Sequence, residues 1–276
     1  MDDATIAQLN ALNRDFYRVA GEDFDRTRGK PWPGWARLLP YLHLDTVPDS
    51  PGGLPSNTPT GATRSVLDVG CGNGRFGAFL IEVLTPHSPL SEGEGKTMTI
   101  RYHGLDSDPA LLAKARVKLT SAGAKRASPL PVRVDVRLEQ RDIVENPPDA
   151  GAYDLVALFG VLHHIPGSAT RLALLRALAE RVAPGGLLVF SCWRFYEDGR
   201  LRARIVPWPD DLAARVEAGD YLLDWRRGQP ALRYCHYVDD AEHTALVGAT
   251  GLAEIESYRA DGRTGNLNRY SLLQKV

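Results

Sequence analysis

Cysteine is scarce in this chain of 276 residues: Cys71, Cys192 and Cys235 are the only three. They lie far apart, show no C-x-x-C spacing and leave one unpaired, which argues against a disulfide framework or a zinc site. They read as reduced and mostly structural, and no metal is expected. Also lacking is any run of eighteen apolar residues, which excludes a helical membrane span. The opening Met1-Asp2-Asp3-Ala4-Thr5 has no basic region leading into an apolar stretch, so no export signal is expected and the expected location is the cytoplasm. Charge of one sign is missing too. Lys and Arg number 33 against 34 Asp and Glu, for a net charge of −1 and a pI near 6.7. A field of that kind does not mark a nucleic-acid binder. Locally, Arg194, Arg200, Arg202, Arg204, Arg226 and Arg227 make one segment basic, either as a solvated face or as a phosphate track.

What is present is an alternation. Hydrophobic residues make up 43% of the chain, enough for a sizeable core. Apolar strand-like runs at 65–69, 98–105, 132–140, 153–159 and 187–193 are separated by helical patterns at 75–83, 109–119 and 168–182. Strands this apolar, joined by helices, predict a mostly parallel sheet covered on both faces, a doubly wound α/β fold. Two stretches break the rhythm, 47–63 and 85–96, and read as exposed loops. Before the sheet, Leu9, Leu12, Phe16 and Tyr17 recur at helical spacing, so residues 1–45 are expected to form a helical cap over the site. Residues 64–276 then form the main domain, with a substrate-covering insertion at about 194–238. The tail reads as a helix at 239–250 stopped by Gly251, then a β-hairpin from the runs 252–258 and 269–273. No internal repeat is found.

The strand Val66-Leu67-Asp68-Val69 runs directly into Gly70-Cys71-Gly72-Asn73-Gly74 and then a helix, the arrangement that brings backbone close to a ligand at a sheet's carboxyl edge. Gly72 to Gly77 also matches the dinucleotide pattern G-x-G-x-x-G, so the acids around it must decide between cofactors. Asp68, two residues before the glycines, would repel a pyrophosphate but can meet an ammonium, directly or through water. Asp106 ends the next strand, where a carboxylate can accept both hydroxyls of a ribose. It lies over thirty residues beyond Gly74, and the loop at 85–96 accounts for the excess. Asp142 follows the third strand and suits an adenine amino group. These three acids favour S-adenosylmethionine (SAM) over a nicotinamide dinucleotide.

The run V-L-D-V-G-C-G-N-G, the G-L-D-S-D at 104–108, Arg141-Asp142, Tyr153 to Val156, Gly160 to His164 and Ala183-Pro184-Gly185-Gly186 occur in the order found in class I SAM-dependent methyltransferases, which the chain resembles over residues 65–193. The resemblance implies the Rossmann-like fold. It also implies SAM as methyl donor, with S-adenosylhomocysteine (SAH) as product, and cofactor contacts at Asp68, Gly70, Cys71, Gly72, Asn73, Gly74, Asp106, Ser107, Asp142, Ile143, Phe159 and Gly160. In-line methyl transfer from a sulfonium asks chiefly for alignment and exclusion of water, so the absence of a catalytic triad is no objection.

The flanks carry a narrower likeness. The string Thr27-Arg28-Gly29-Lys30-Pro31-Trp32-Pro33, the V-x-H-H at 161–164, Cys192-Trp193 and Arg233-Tyr234-Cys235-His236-Tyr237 resemble the eukaryotic tRNA wobble-uridine carboxymethyl methyltransferases. That implies esterification of a carboxymethyl group on tRNA, with a small activating partner protein. A carboxylate is ionised at neutral pH and needs only a cation to position it. Arg26, Arg28 and Lys30, with His163, are the candidate substrate-positioning residues. In place of the family's tryptophan-rich ending stands Tyr258 to Tyr270, read as a hairpin loop over the pocket. A small-molecule methyltransferase of specialised metabolism, which the near-neutral charge favours, and a SAM-binding regulatory protein without turnover remain the competing readings.

Overall fold

The computed structural model describes residues 1–27, 29–42, 63–84, 98–124 and 132–276. Arg28, the loop expected at 85–96 and all but Thr63 of the loop expected at 47–63 lie outside the described residues. The chain opens with helix α1 (Asp3–Arg26) and a 3-10 turn over Pro33–Tyr41. There follow β1 (Thr63–Val69), α2 (Arg75–Leu84), β2 (Met98–Asp106), α3 (Pro109–Ala124), β3 (Val132–Gln140), β4 (Tyr153–Leu158), α4 (Ser168–Glu180) and β5 (Val182–Trp193). Next come two short helices, α5 (Gly199–Arg202) and α6 (Asp210–Ala213), among the strands β6 (Ile205–Val206), β7 (Asp220–Trp225) and β8 (Ala231–His236). Helix α7 (Asp240–Thr250) and strands β9 (Ala253–Ala260) and β10 (Asn268–Gln274) complete the chain.

The main sheet has the order β3-β2-β1-β4-β5-β10-β9. The first five strands are parallel, and β10 and β9 add the antiparallel hairpin. Alternation along each strand supplies two apolar faces. Val66, Ile100, Tyr102, Leu155 and Val189 pack with α2, α3 and Trp35, whereas Leu67, Val69, Val156, Leu188 and Phe190 pack with Leu174, Leu175 and Leu178 of α4 and with Leu246 of α7. The doubly wound sheet expected from sequence is therefore the sheet observed. Helix α7 begins with Asp239 capping the Glu242 N–H at 2.8 Å and ends at Gly251, whose φ is +66°, the pairing of start and stop residues that bounds a helix.

Two differences from the sequence reading bear on the architecture. Strand β5 starts at Val182, five residues early, because Ala183-Pro184-Gly185-Gly186 is carried inside the strand as an irregularity. Tyr153 pairs with Val182 but Leu155 already pairs with Leu187, and Gly185 and Gly186 bond to Lys275. Proline tolerates such a bulge because no ladder donor is required of it there. The other difference is the insertion, whose strands β6-β7-β8 make a separate antiparallel sheet. Leu212 and Tyr234 of this region bury against Leu9 of α1. Phe195, Leu223 and Cys235 form a further apolar cluster.

A buried polar knot fixes the insertion to the main domain. His236 Nδ1 lies 2.7 Å from Asp220 and Nε2 2.5 Å from Glu242, while Arg171 of α4 donates to Glu242 at 2.7 Å. Tyr234 donates its hydroxyl to the same Asp220 at 2.8 Å. Burial works against a charged ring at His236, but the two carboxylates outweigh it and hold its pKa above the ordinary 6.5. A raised pKa means stabilisation fully present below pH 6.5 and lost as pH rises through the higher folded value. His236→Gln should therefore cost about 3 kcal/mol at pH 6, the scale for a buried pair stripped of one partner, and progressively less above neutrality. Denaturant melts of both proteins across that range test this, and a difference independent of pH would refute it.

Candidate functional site

The strand order reverses between β1 and β4, and at such a switch point the carboxyl ends of the strands leave a crevice. Leaving β1, the Gly70 and Cys71 N–H groups both donate to Leu105 O at 2.8 Å, which binds the turn to the end of β2. Two glycines in that turn do different work. Gly72 has φ +53°, and a Cβ there would meet no atom within 4 Å, so the turn leaves room for a ligand. Gly74, at φ +71°, would press a Cβ to 3.0 Å from the Ala115 Cα, so it permits α2 and α3 to pack.

A cleft of about 980 Å³ opens over this turn. Asp68, Gly70, Cys71, Gly72, Asn73, Asp106, Ser107, Asp142, Ile143, Phe159, Gly160 and His163 all line it, as do Arg26 and Lys30. Gly74 does not, and Arg28 lies outside the described residues.

The three acids differ in setting. Asp68 is 2% exposed and accepts the Tyr102 hydroxyl at 2.5 Å, and burial pushes its pKa up to about 7. A cationic ligand group beside it would pull that value down and gain affinity in exchange. Asp106 accepts the Gly72 N–H at 2.8 Å and the Asp108 N–H at 2.9 Å, with burial raising its pKa to about 6. With the Ser107 N–H as a further donor, the carboxylate keeps acceptor capacity for a ribose hydroxyl. Asp142 is engaged by α1, taking Asn10 Nδ2 at 2.9 Å and Arg14 Nη1 at 2.5 Å on one oxygen and the Val144 N–H at 3.0 Å on the other. Helix α1 thus reaches the end of the cleft where the sequence reading expects adenine. Its Asp25 also holds Asn73 and, at 3.0 Å, Lys114.

The opposite wall was less visible in the sequence. Arg26 pairs with Asp23, and its side chain is 74% exposed. Lys30 accepts Arg75 Nη1 on its carbonyl at 3.0 Å. Of the basic segment, Arg194 is buried and donates to Val238 O at 2.7 Å, Arg200 pairs with Asp198 and Arg226 with Asp224. Arg204 and Arg227 line the cleft with no ion pair among the described residues. Arg233 of β8 also lines it, 7% exposed, with its guanidinium 4.8 Å from the Trp193 ring and 5.3 Å from Phe16. The R-Y-C-H-Y run contained that arginine, but nothing local to it says that its strand forms a cleft wall.

His163 is buried against Trp193, with ring centroids 5.0 Å apart. His164 lies 3.0 Å from Tyr234 O through Nδ1 and 3.1 Å from the Tyr17 hydroxyl through Nε2. Side-chain ligand atoms of His163, His164 and Cys235 come within 4.8 Å of one another. Both His164 nitrogens are already engaged, however, and burial pushes the Cys235 thiol up to about 11, so the trio is poorly set to hold a metal, which needs a thiolate. Among the described residues no helix is long and apolar enough to cross a membrane.

The family model for a methyltransferase domain matches residues 67–188. The ubiquinone biosynthesis O-methyltransferase of Sodalis glossinidius (strain morsitans) is 30% identical over 175 residues, covering 61% of this chain and 56% of the relative. That of Cronobacter sakazakii is also 30% identical, over 66% of this chain and 62% of the relative. The chain thus spans about three-fifths of the length of these relatives. In fold it is similar to magnesium protoporphyrin IX methyltransferase from Synechocystis PCC 6803, solved with bound SAH, at a TM-score of 0.60 and 16% identity over 97% of this chain and 99% of that one. If Asp106 holds the ribose, Asp106→Ala should weaken SAM binding by about ten- to a hundredfold, the worth of hydrogen bonds to a charged group. Calorimetric titration measures this, and unchanged affinity in a folded variant would remove the assignment. Residues 67–188 thus match a methyltransferase domain, and the chain has the fold of the SAH-bound magnesium protoporphyrin IX methyltransferase.

Proposed function

We propose that the chain transfers a methyl group from SAM to an oxygen of an anionic acceptor, and that this acceptor is the carboxymethyl group of a modified wobble uridine in tRNA. One observation carries the anionic half of the reading: a buried arginine, Arg233, in the wall of the cleft, with Arg204 and Arg227 also lining it. An arginine held against aromatic faces keeps its fork of donors oriented, which suits a planar carboxylate. SAM would supply an electrophilic methyl on a sulfonium. Asp68 and Asp106 would hold it over the glycine turn, leaving the protein to align the acceptor and exclude water. Arg26 and Lys30, nearer the solvent, would meet the outer part of a large acceptor. The tRNA assignment is supported by the likeness of the 27–33 string and the R-Y-C-H-Y run to the wobble-uridine enzymes. A small activating partner protein belongs to the same reading.

The curated relatives favour a second reading, O-methylation of a small molecule, since the two relatives described above are named as ubiquinone biosynthesis O-methyltransferases. Trp193, Trp225 and Phe159 in the lining give an aromatic ring apolar surface. Arg233→Gln separates the two. With labelled SAM and tRNA bearing the carboxymethyl uridine, kcat/KM should fall about ten- to a hundredfold for loss of a charge-assisted pair, at unchanged SAM affinity. Undiminished labelling would sink the anion anchor, and label confined to small molecules would replace the tRNA reading with the second.

A further inference from the structure

A carboxylate at neutral pH has no proton to lose when it is methylated, whereas a hydroxyl does. The cleft nonetheless contains a hydrogen-bonded pair suited to take one. His164 Nδ1 faces a carbonyl, Tyr234 O, at 3.0 Å. A carbonyl only accepts, so Nδ1 carries the hydrogen, and in the neutral ring Nε2 is left as the acceptor. At 3.1 Å from Nε2 lies the Tyr17 hydroxyl, which must then donate to it. With its own hydrogen so directed, the Tyr17 oxygen offers lone pairs to whatever else reaches it, and Tyr17 and His164 both line the cleft.

The pair is held firmly on both sides. Asn13, one turn before Tyr17 on α1, donates to His164 O at 3.2 Å and accepts the Tyr234 N–H at 3.0 Å, so one side chain ties the backbone of His164 to that of Tyr234. Tyr17 meets the His164 ring edge-on, with centroids 5.8 Å apart. The titratable and charged neighbours are His163, whose ring centroid is 4.1 Å away, Cys235, with its sulfur 4.0 Å from Nδ1, and Arg233 two residues before Cys235 on β8.

We propose that Tyr17 and His164 form a proton relay, which lets the cleft methylate a phenolic hydroxyl as well as a carboxylate. This rests on the methyl transfer proposed above and extends the acceptor class beyond a carboxylate. As the acceptor oxygen bonds to the methyl carbon, the carbon–sulfur bond breaks and its electron pair stays on sulfur. The acceptor proton passes to the Tyr17 oxygen while the Tyr17 proton passes to His164 Nε2. The resulting imidazolium keeps its Nδ1–H on Tyr234 O and later returns its proton to solvent. Tyr17 is the catalytic residue, since it touches the acceptor; His164 acts through it.

The probe is 4-hydroxybenzoate, which presents a carboxylate for Arg233 and a phenol for Tyr17 on one molecule. Methyl ester is released by mild alkali and methyl ether is not, so labelled SAM and an alkaline wash tell the products apart. Alkali-stable ether is expected, formed about a hundredfold more slowly by Tyr17→Phe, the lower end of general-base effects. The variant's rate should climb with pH as the phenol ionises by itself, where the wild type levels off. His164→Gln should show the same pH profile. Independently of turnover, NMR of the imidazole should find His164 as the Nδ1–H tautomer. Ester alone, a Tyr17→Phe profile parallel to wild type, or an Nε2–H tautomer would each overturn the relay. Absence of methyl product from both 4-hydroxybenzoate and tRNA would instead bring down the methyl-transfer reading, and the relay with it.

Discussion

The cleft depends on the joint between two strand ends, where Asp106 at the close of β2 accepts the Gly72 N–H at 2.8 Å while Gly70 and Cys71 donate to Leu105 O. These contacts decide where the turn after β1 points. They also place a carboxylate, buried and with its pKa raised to about 6 by that burial, beside backbone that carries no side chain. Burying a carboxylate costs free energy unless donors satisfy it, and here backbone donors from two segments do so. The position of the turn thus follows from the sheet order itself, because only adjacent parallel strands bring these two ends together.

Helix α1 completes what the sheet begins. One face of it reaches Asp142 through Asn10 and Arg14, His164 through Asn13 and Tyr17, and Asn73 through Asp25. A single helix therefore contacts Asp142 after β3, Asn73 of the glycine turn and His164 after β4. The insertion closes the remaining side. Its sheet is bound to α4 and α7 through His236, Glu242 and Arg171, so the wall containing Arg233 is anchored to the same core as the glycine turn.

Much of this was legible in the sequence, for identifiable reasons. The sheet strands are apolar runs bounded by turn residues, and Asp68, Asp106 and Asp142 lie within, at the end of or just after such runs, so the glycine-turn half of the cleft could be placed from local pattern alone. The acceptor half could not. Strands β7 and β8 interleave Asp220, Asp224, Arg233 and His236 with apolar residues, and these read as polar surface until their partners are known. Asp220 is buried because Tyr234, His236 and the Glu217 N–H satisfy it. The contact of Asn10 with Asp142 spans 132 residues and leaves no local trace. Arg26 stood out in the sequence as a cation near aromatics, yet it pairs with Asp23 on its own helix, and the buried arginine that lines the cleft is Arg233.

The most direct measurement of the central claim, that the turn from Gly70 to Gly74 seats SAM and not a dinucleotide, is a calorimetric titration of the pure protein with SAM, with SAH and with NAD. Saturable binding of SAM and SAH at one site per chain, with no heat from NAD, is the expected result. Saturable NAD binding with none for SAM would contradict it.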